Sequence, residues 1–269
     1  EHLDVASALD GIGGTLERQG RHEEALASFQ RALAIDEAVL GPDHARVAGR
    51  LHNLGVVLGG QGRDEEALAH HRRSLAIYER ALGPASSDVA MALRSIAGVL
   101  RSRGEPAASL THYRKALAIY ERALGPGHPE VALVLDNLGS LLVEQGEIDE
   151  AETHLRRALA IREATQGPEH PDVAPTLLGL CEVARRRHDS AARELAERAV
   201  AILEGSEAAP ERLAASRFVL AQTLWADRGQ RARAHALGRQ ARDAYATLGA
   251  SQREPLEAVG AWLAAHPEP

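Results

Sequence analysis

The dipeptide Gly-Pro occurs at Gly41-Pro42, Gly83-Pro84, Gly125-Pro126 and Gly167-Pro168, each step being 42 residues. A fixed period of this length marks a repeat architecture, in which each unit buries its apolar side only against its neighbours. Val-Ala follows in the same phase at Val47-Ala48, Val89-Ala90, Val131-Ala132 and Val173-Ala174, and Val5-Ala6 fits one period earlier. A second phase holds Ala25, Ala67, Ser109 and Ala151, then Ala192 after a one-residue deletion near Arg187, then Ala234. Seven residues beyond each lie Ala32, Ser74, Ala116, Ala158, Ala199 and Ala241.

Each unit reads as two helices. Leu51, Leu54, Gly55 and Leu58 fall at i, i+3, i+4 and i+7, one stripe of a helix. Gln61-Gly62 ends that helix, and Asp64 is expected as the N-cap of the next. Ala67, His71, Ser74, Leu75 and Ile77 make its inner side, and Gly83-Pro84 stops it. Two helices of ~17 residues are about 25 Å long each. No segment sustains period-2 alternation, so no strand is expected. Gly13, Gly55, Ala97, Gly139 and Cys181 share one position of the first helix. They are expected to face the Ala25 series, small against small, at the short end of the ~8–10 Å range for helix pairs.

The pattern Leu54-Gly55, Leu58, Ala67, Ser74, with Ile12-Gly13, Leu16, Ala25, Phe29, Ala32 as a fuller copy, resembles the tetratricopeptide repeat. Phe29 and Tyr113 stand where that family has its aromatic residue; His71 and Leu155 replace it elsewhere. Leu40-Gly41-Pro42-Asp43-His44 and Leu124-Gly125-Pro126-Gly127-His128 resemble the connections of kinesin light chains and their bacterial relatives. The resemblance implies an all-α, right-handed superhelix (an α-solenoid) of six helix-turn-helix repeats over 1–249. Their bounds are about 1–40, 41–82, 83–124, 125–166, 167–207 and 208–249. The sixth repeat enters through Ala208-Ala209-Pro210. After Gly249, a capping helix and tail over 250–269 are expected, with Leu256, Val259, Trp262 and Leu263 on its apolar side. Glu1-His2 sits in the phase of Glu169-His170, so an N-terminal continuation is expected, and the ending after a cap suits a native C-terminus.

The net charge is −7 and aromatics are 3%, against nucleic acid, which asks for a basic face and stacking rings. No apolar run approaches the ~18–20 residues of a membrane helix, and no leader peptide is evident. A cytoplasmic protein is expected. One cysteine, Cys181, excludes an internal disulfide framework and is expected as a buried thiol.

The 13 histidines invite a metal hypothesis. His70, His112 and His154 recur at equivalent turns of successive helices, ~8–10 Å apart at best, whereas zinc ligands all lie ~2 Å from the ion. They cannot share a metal, and a half-buried ladder is expected. His2, His44, His128 and His170 lie in the connections, where local hydrogen bonding at helix entry is expected. Gly11-Ile12-Gly13-Gly14 lacks the preceding strand of a phosphate loop. No metal, no cofactor and no catalytic constellation are expected.

What remains is the surface. The resemblance places the first helices on the concave side, and the candidate partner-binding groove comprises Asp10, Glu17, His52, Asn53, Arg94, Ser95, Arg101, Asp136, Asn137, Ser140 and Glu182. Asn53 and Asn137 match the family position whose amide holds a ligand's backbone as donor and acceptor. The position of the family's carboxylate-gripping lysines holds Ser7, Gly49, Met91, Leu133 and Pro175, against a carboxylate clamp. Gly11, Gly14, Gly49, Gly59, Gly60 and Gly98 make the groove small-sided, either as room for a bulky partner or as drift. Arg94 and Arg101 could meet an acidic partner, or form a plain solvated face. The leading expectation is a module binding a peptide or helix of a partner protein. The alternatives are a self-associating scaffold, and a regulatory arm of a signalling enzyme, such as the arrays that follow bacterial serine/threonine kinase domains.

Overall fold

The computed structural model describes residues 2–207, 209–248 and 253–268. Ala208 and Gly249, at the expected entry to the sixth repeat and the start of the C-terminal segment, lie outside the described residues, as does Glu1. All elements among the described residues are helical. They divide into two compact units, one up to Val134 and one from Leu135 onward.

The first unit holds α1 (His2–Arg18), α2 (His22–Leu40), α3 (Ala45–Gly60), α4 (Asp64–Leu82), α5 (Ser87–Ser102), α6 (Pro106–Leu124) and the start of α7 (Pro129–Gln145). Odd and even helices pack as pairs, because each odd helix carries a single apolar stripe. In α3 that stripe is Val47, Leu51, Leu54 and Leu58, all buried. A continuous core runs through Leu26, Phe29, Leu54, Leu58, Leu68, Ile96 and Leu100. Gly41, Gly83 and Gly125 end the even helices at φ near 90°, and each N–H returns to a carbonyl four residues back, at Glu37, Glu79 and Glu121. Left-handed backbone of this kind favours glycine.

The connection histidines act locally. Nδ1 of His44 accepts the N–H of Arg46 at 3.1 Å, and Nδ1 of His128 accepts that of Glu130 at 3.2 Å. Ser86, one period after His44, does the same work with its hydroxyl on the N–H of Asp88. Asp64 does not cap α4. Arg63 holds the N-cap position with no side-chain cap, and its guanidinium pairs with Glu66 three residues on. The Asp64 carboxylate, already in the first helical turn, accepts the Ser102 hydroxyl at 2.8 Å instead.

Ala97 meets the Ala25 series as expected, its carbonyl accepting the Ser109 hydroxyl at 2.7 Å, but the glycines of this position lie nearest to a large side chain. A methyl on Gly13 would meet the Phe29 ring at 2.8 Å, and one on Gly55 would meet the His71 ring at 2.6 Å. The packing is small against large. Ala67 lies one turn away, 3.8 Å from a methyl placed on Gly59.

The second unit holds the rest of α7, α8 (Ile148–Gln166), α9 (Val173–Arg186), α10 (Ala191–Glu204), α11 (Pro210–Leu224), a 3-10 turn at Arg228–Gln230, α12 (Arg231–Leu248) and α13 (Arg253–Ala265). A methyl on Gly139 would meet Leu155 at 2.5 Å, continuing the same complementarity. In the next pair the sizes invert, with Cys181 on α9 and Ala196 on α10, both fully buried. The Cys181 thiol lies 3.6 Å from the Thr223 hydroxyl, and burial pushes its pKa up. Nδ1 of His170 accepts the N–H of Asp172 at the entry to α9. Val259 and Leu263 of α13 are buried, and Trp262 stacks edge-on against Trp225 and Phe218.

Candidate functional site

The odd helices of the first unit present the candidate residues along one face, and most of their charged groups are already engaged. Asp10 of α1 accepts the Asn53 amide at 2.8 Å and pairs with Arg50 at 2.7 Å. Arg50 reaches on to Asp36 of α2 at 2.9 Å, and Arg46 lies 3.3 Å from the other Asp36 oxygen. Asp36 is fully buried. A buried carboxylate needs such partners, because desolvation costs an unpaired ion several kcal/mol even after relaxation.

One period later, Tyr78 occupies the place of Asp36, and Tyr120 the place after that; burial pushes both phenols up to about 12. The Tyr120 hydroxyl hydrogen-bonds with Arg94 and Glu130. Arg94 is therefore a structural partner as well as a groove residue. His52 packs its ring on that of His71, with centroids 5.2 Å apart. Burial, then the Arg94 charge, lowers His52 to about 4; burial, then His52, lowers His71 to about 3. Both rings are neutral at pH 7.

In the second unit the same position holds Arg162. Its guanidinium bonds Asp136 at 2.6 Å, and Asp136 also accepts the Thr176 hydroxyl at 2.8 Å. Burial outweighs these partners and holds the Asp136 carboxyl above its ordinary range. Glu182 pairs with Arg185 and Arg186 on its own helix. Asn137 and Ser140 are half-buried on α7. Ser95, Arg101 and Glu17 are half-buried on the odd-helix face of the first unit. The structure thus joins Asp10 with Asn53 in one network and draws Arg94 and Asp136 into others.

Sequence reasoning missed the series Asp36, Tyr78, Tyr120, Arg162. It recurs with the 42-residue step and was open to reading at that phase. Its two charged members are what draw Arg50 and Asp136 inward.

Two depressions lie on the odd-helix face of the first unit, on either side of Val56, which is 45% exposed. One, of about 360 Å³, is lined by Gly11, Gly14, Asn53 and Val56, with Phe29 beneath. The other, of about 290 Å³, is lined by Val56, Gly59, Ser95, Gly98 and His71. Methyl groups on Gly11, Gly14 or Gly60 would meet nothing within 4 Å, and methyls on Gly59 and Gly98 would make only ordinary contacts at 3.6 Å or more. The fold does not require glycine at these positions. Among the described residues no three His, Cys, Asp or Glu side chains gather in a metal-holding group, and no helix is long and apolar enough to cross a membrane.

The tetratricopeptide repeat family matches residues 4–80, 88–164 and 136–205. No curated protein matches the chain. Among solved structures, BtubC (BKLC) from P. vanneervenii is 18% identical with a TM-score of 0.66, over 87% of this chain and 92% of that one. A Podosopora anserina structure described as "kinesin light chain nearly identical TPR-like repeats" is 20% identical with a TM-score of 0.64, over 76% and 97%. A Rap protein in complex with competence and sporulation factor is 19% identical with a TM-score of 0.68, over 96% and 76%. At these identities the likeness is one of fold.

Proposed function

Because the chain belongs to the tetratricopeptide repeat family, we propose that it is a non-catalytic interaction module that takes a peptide or helix of a partner protein on the odd-helix face. The observation that carries the reading is the set of glycines the fold does not require. Glycine inside a helix costs about 1 kcal/mol relative to alanine. Gly11, Gly14, Gly59, Gly60 and Gly98 all sit inside or at the end of α1, α3 and α5, and alanine would fit at each. Packing does not account for that cost. Space for a partner's side chains does. Exposed Val56 between the two depressions offers an apolar contact, and half-buried Ser95 offers a polar one. The Rap structure shows that a protein with this kind of helical repeat has been captured with another molecule bound. The test is the affinity of a Gly11→Leu/Gly14→Leu variant for a partner segment: the reading requires loss of binding without loss of fold.

A further inference from the structure

The second unit contains a cavity of about 300 Å³ between α8, α9 and α10. It has a local cause in the chain. The even helices α2, α4, α6 and α8 each begin three residues before their small packing residue, at His22, Asp64, Pro106 and Ile148. Helix α10 begins at Ala191, one residue before Ala192. The turn before it has lost a residue, and His188, at φ 57°, stands where other repeats have Gly20, Gly62, Gly104 and Gly146. The late start leaves an apolar hollow with buried Leu180 and Val183, and half-buried Leu159 and Leu195, in its wall.

The rim decides what the hollow accepts. Its three arginines are all held by acids. Arg156 pairs with Glu152 at 2.6 Å, Arg187 with both Glu152 and Asp149, and Arg198 with Glu163 at 2.7 Å. Asp189 spends one oxygen on the N–H of Ala191 at 2.9 Å. Glu194, on the first turn of α10, makes no hydrogen bond or ion pair with any described residue. The three arginines are matched by three acids, Asp149, Glu152 and Glu163. That leaves two lining carboxylates, Asp189 and Glu194, without an ion pair among the described residues, and Glu194 stands beside the aliphatic wall.

We infer that this cavity binds an aliphatic cation: an ammonium group on a short hydrocarbon stem, the stem lying on Leu159, Leu180 and Leu195 and the head meeting Glu194. Long cationic side chains pack in this way, stem on apolar surface and charge toward water. An anion finds no free arginine here. The site is independent of the odd-helix face of the first unit, so either assignment can fail alone.

The test is NMR titration of the full chain with three probes of equal length: n-pentylamine, pentanol and pentanoate. A lysine-centred pentapeptide, acetylated and amidated, forms a fourth arm. Pentylammonium should shift the amides of Leu180, Val183, Ala191 and Leu195 more strongly than pentanol, and pentanoate should shift none. Glu194→Gln should weaken pentylammonium about fivefold, the upper range for a partly exposed pair, and Glu194→Arg should transfer the preference to pentanoate. Glu194 is exposed, so neither variant threatens the fold. Binding of the peptide as well assigns the site to a partner's lysine, and binding of the amine alone assigns it to a small ligand; both support the inference. Equal binding of pentanoate, shifts elsewhere, an unchanged Glu194→Gln affinity or no binding of any probe overturns it.

Discussion

The imidazole of His71 lies directly on Gly55, so close that a methyl in place of the glycine hydrogen would meet the ring at 2.6 Å. Phe29 lies on Gly13 in the same way, and Leu155 on Gly139. In three copies of the repeat this contact pairs a glycine with a large side chain, whose identity varies. Gly55→Ala should therefore cost about 1–3 kcal/mol by overpacking. Gly14→Ala, which meets nothing, should stabilise by up to about 1 kcal/mol. Urea denaturation of the two variants checks the contrast, and equal midpoints would refute this packing.

The same histidine gives the first unit a dependence on pH. His52 and His71 titrate in the folded chain near 4 and 3, below the ordinary 6.5. As pH falls past 6.5 the unfolded chain takes up protons first. The stability they contribute is complete above about 6.5 and is lost as pH drops toward 4, by an amount on the order of 3 kcal/mol for each ring at about 1.4 kcal/mol per pKa unit. His71→Phe, which installs the residue type of Phe29, should flatten that slope. Chemical denaturation at a series of pH values in both chains measures it, and parallel slopes would count against the buried histidines.

Arg162 and Asp136 illustrate a different cost. Arg162→Met leaves Asp136 buried without its cation and should destabilise by about 3–5 kcal/mol. Adding Asp136→Leu to that variant should recover most of the loss, because the uncompensated charge goes with it. A double-mutant cycle in urea reads this directly, and additive losses would show that the pair does not couple.

His44 makes a local contribution. His44→Ala should cost about 0.5–2 kcal/mol by removing the acceptor for the Arg46 N–H. His44→Ser should cost little, since Ser86 already performs the same task one period on. Thermal melts of the two variants separate a capping role from a packing one.

The 42-residue step made the helices, their Gly stops and their histidine entries legible, because those depend on residues close in the chain. Which small residue faces which large one was not legible. Gly13, Ala25 and Phe29 all recur at the same interval, and only the crossing of two helices decides that Gly13 meets Phe29. The candidate face was legible in position but not in state. Asn53, Arg94 and Asp136 read as outward polar groups until Asp10, Tyr120 and Arg162 are brought against them. This bears on how the face is tested. Replacing Asn53 or Arg94 removes an internal bond along with any contact to a partner, whereas filling the open glycines does not.

The most direct measurement is photo-cross-linking from a benzophenone side chain placed at Val56, with a second chain carrying it at exposed Ala76 on α4 as the control. Both are combined with Gly11→Leu/Gly14→Leu. Partner binding on the odd-helix face predicts an adduct from position 56 and none from 76. It also predicts that the adduct disappears in the leucine variant while the melting temperature holds or rises. An adduct formed equally from position 76, or one that survives with both depressed positions filled, would contradict it.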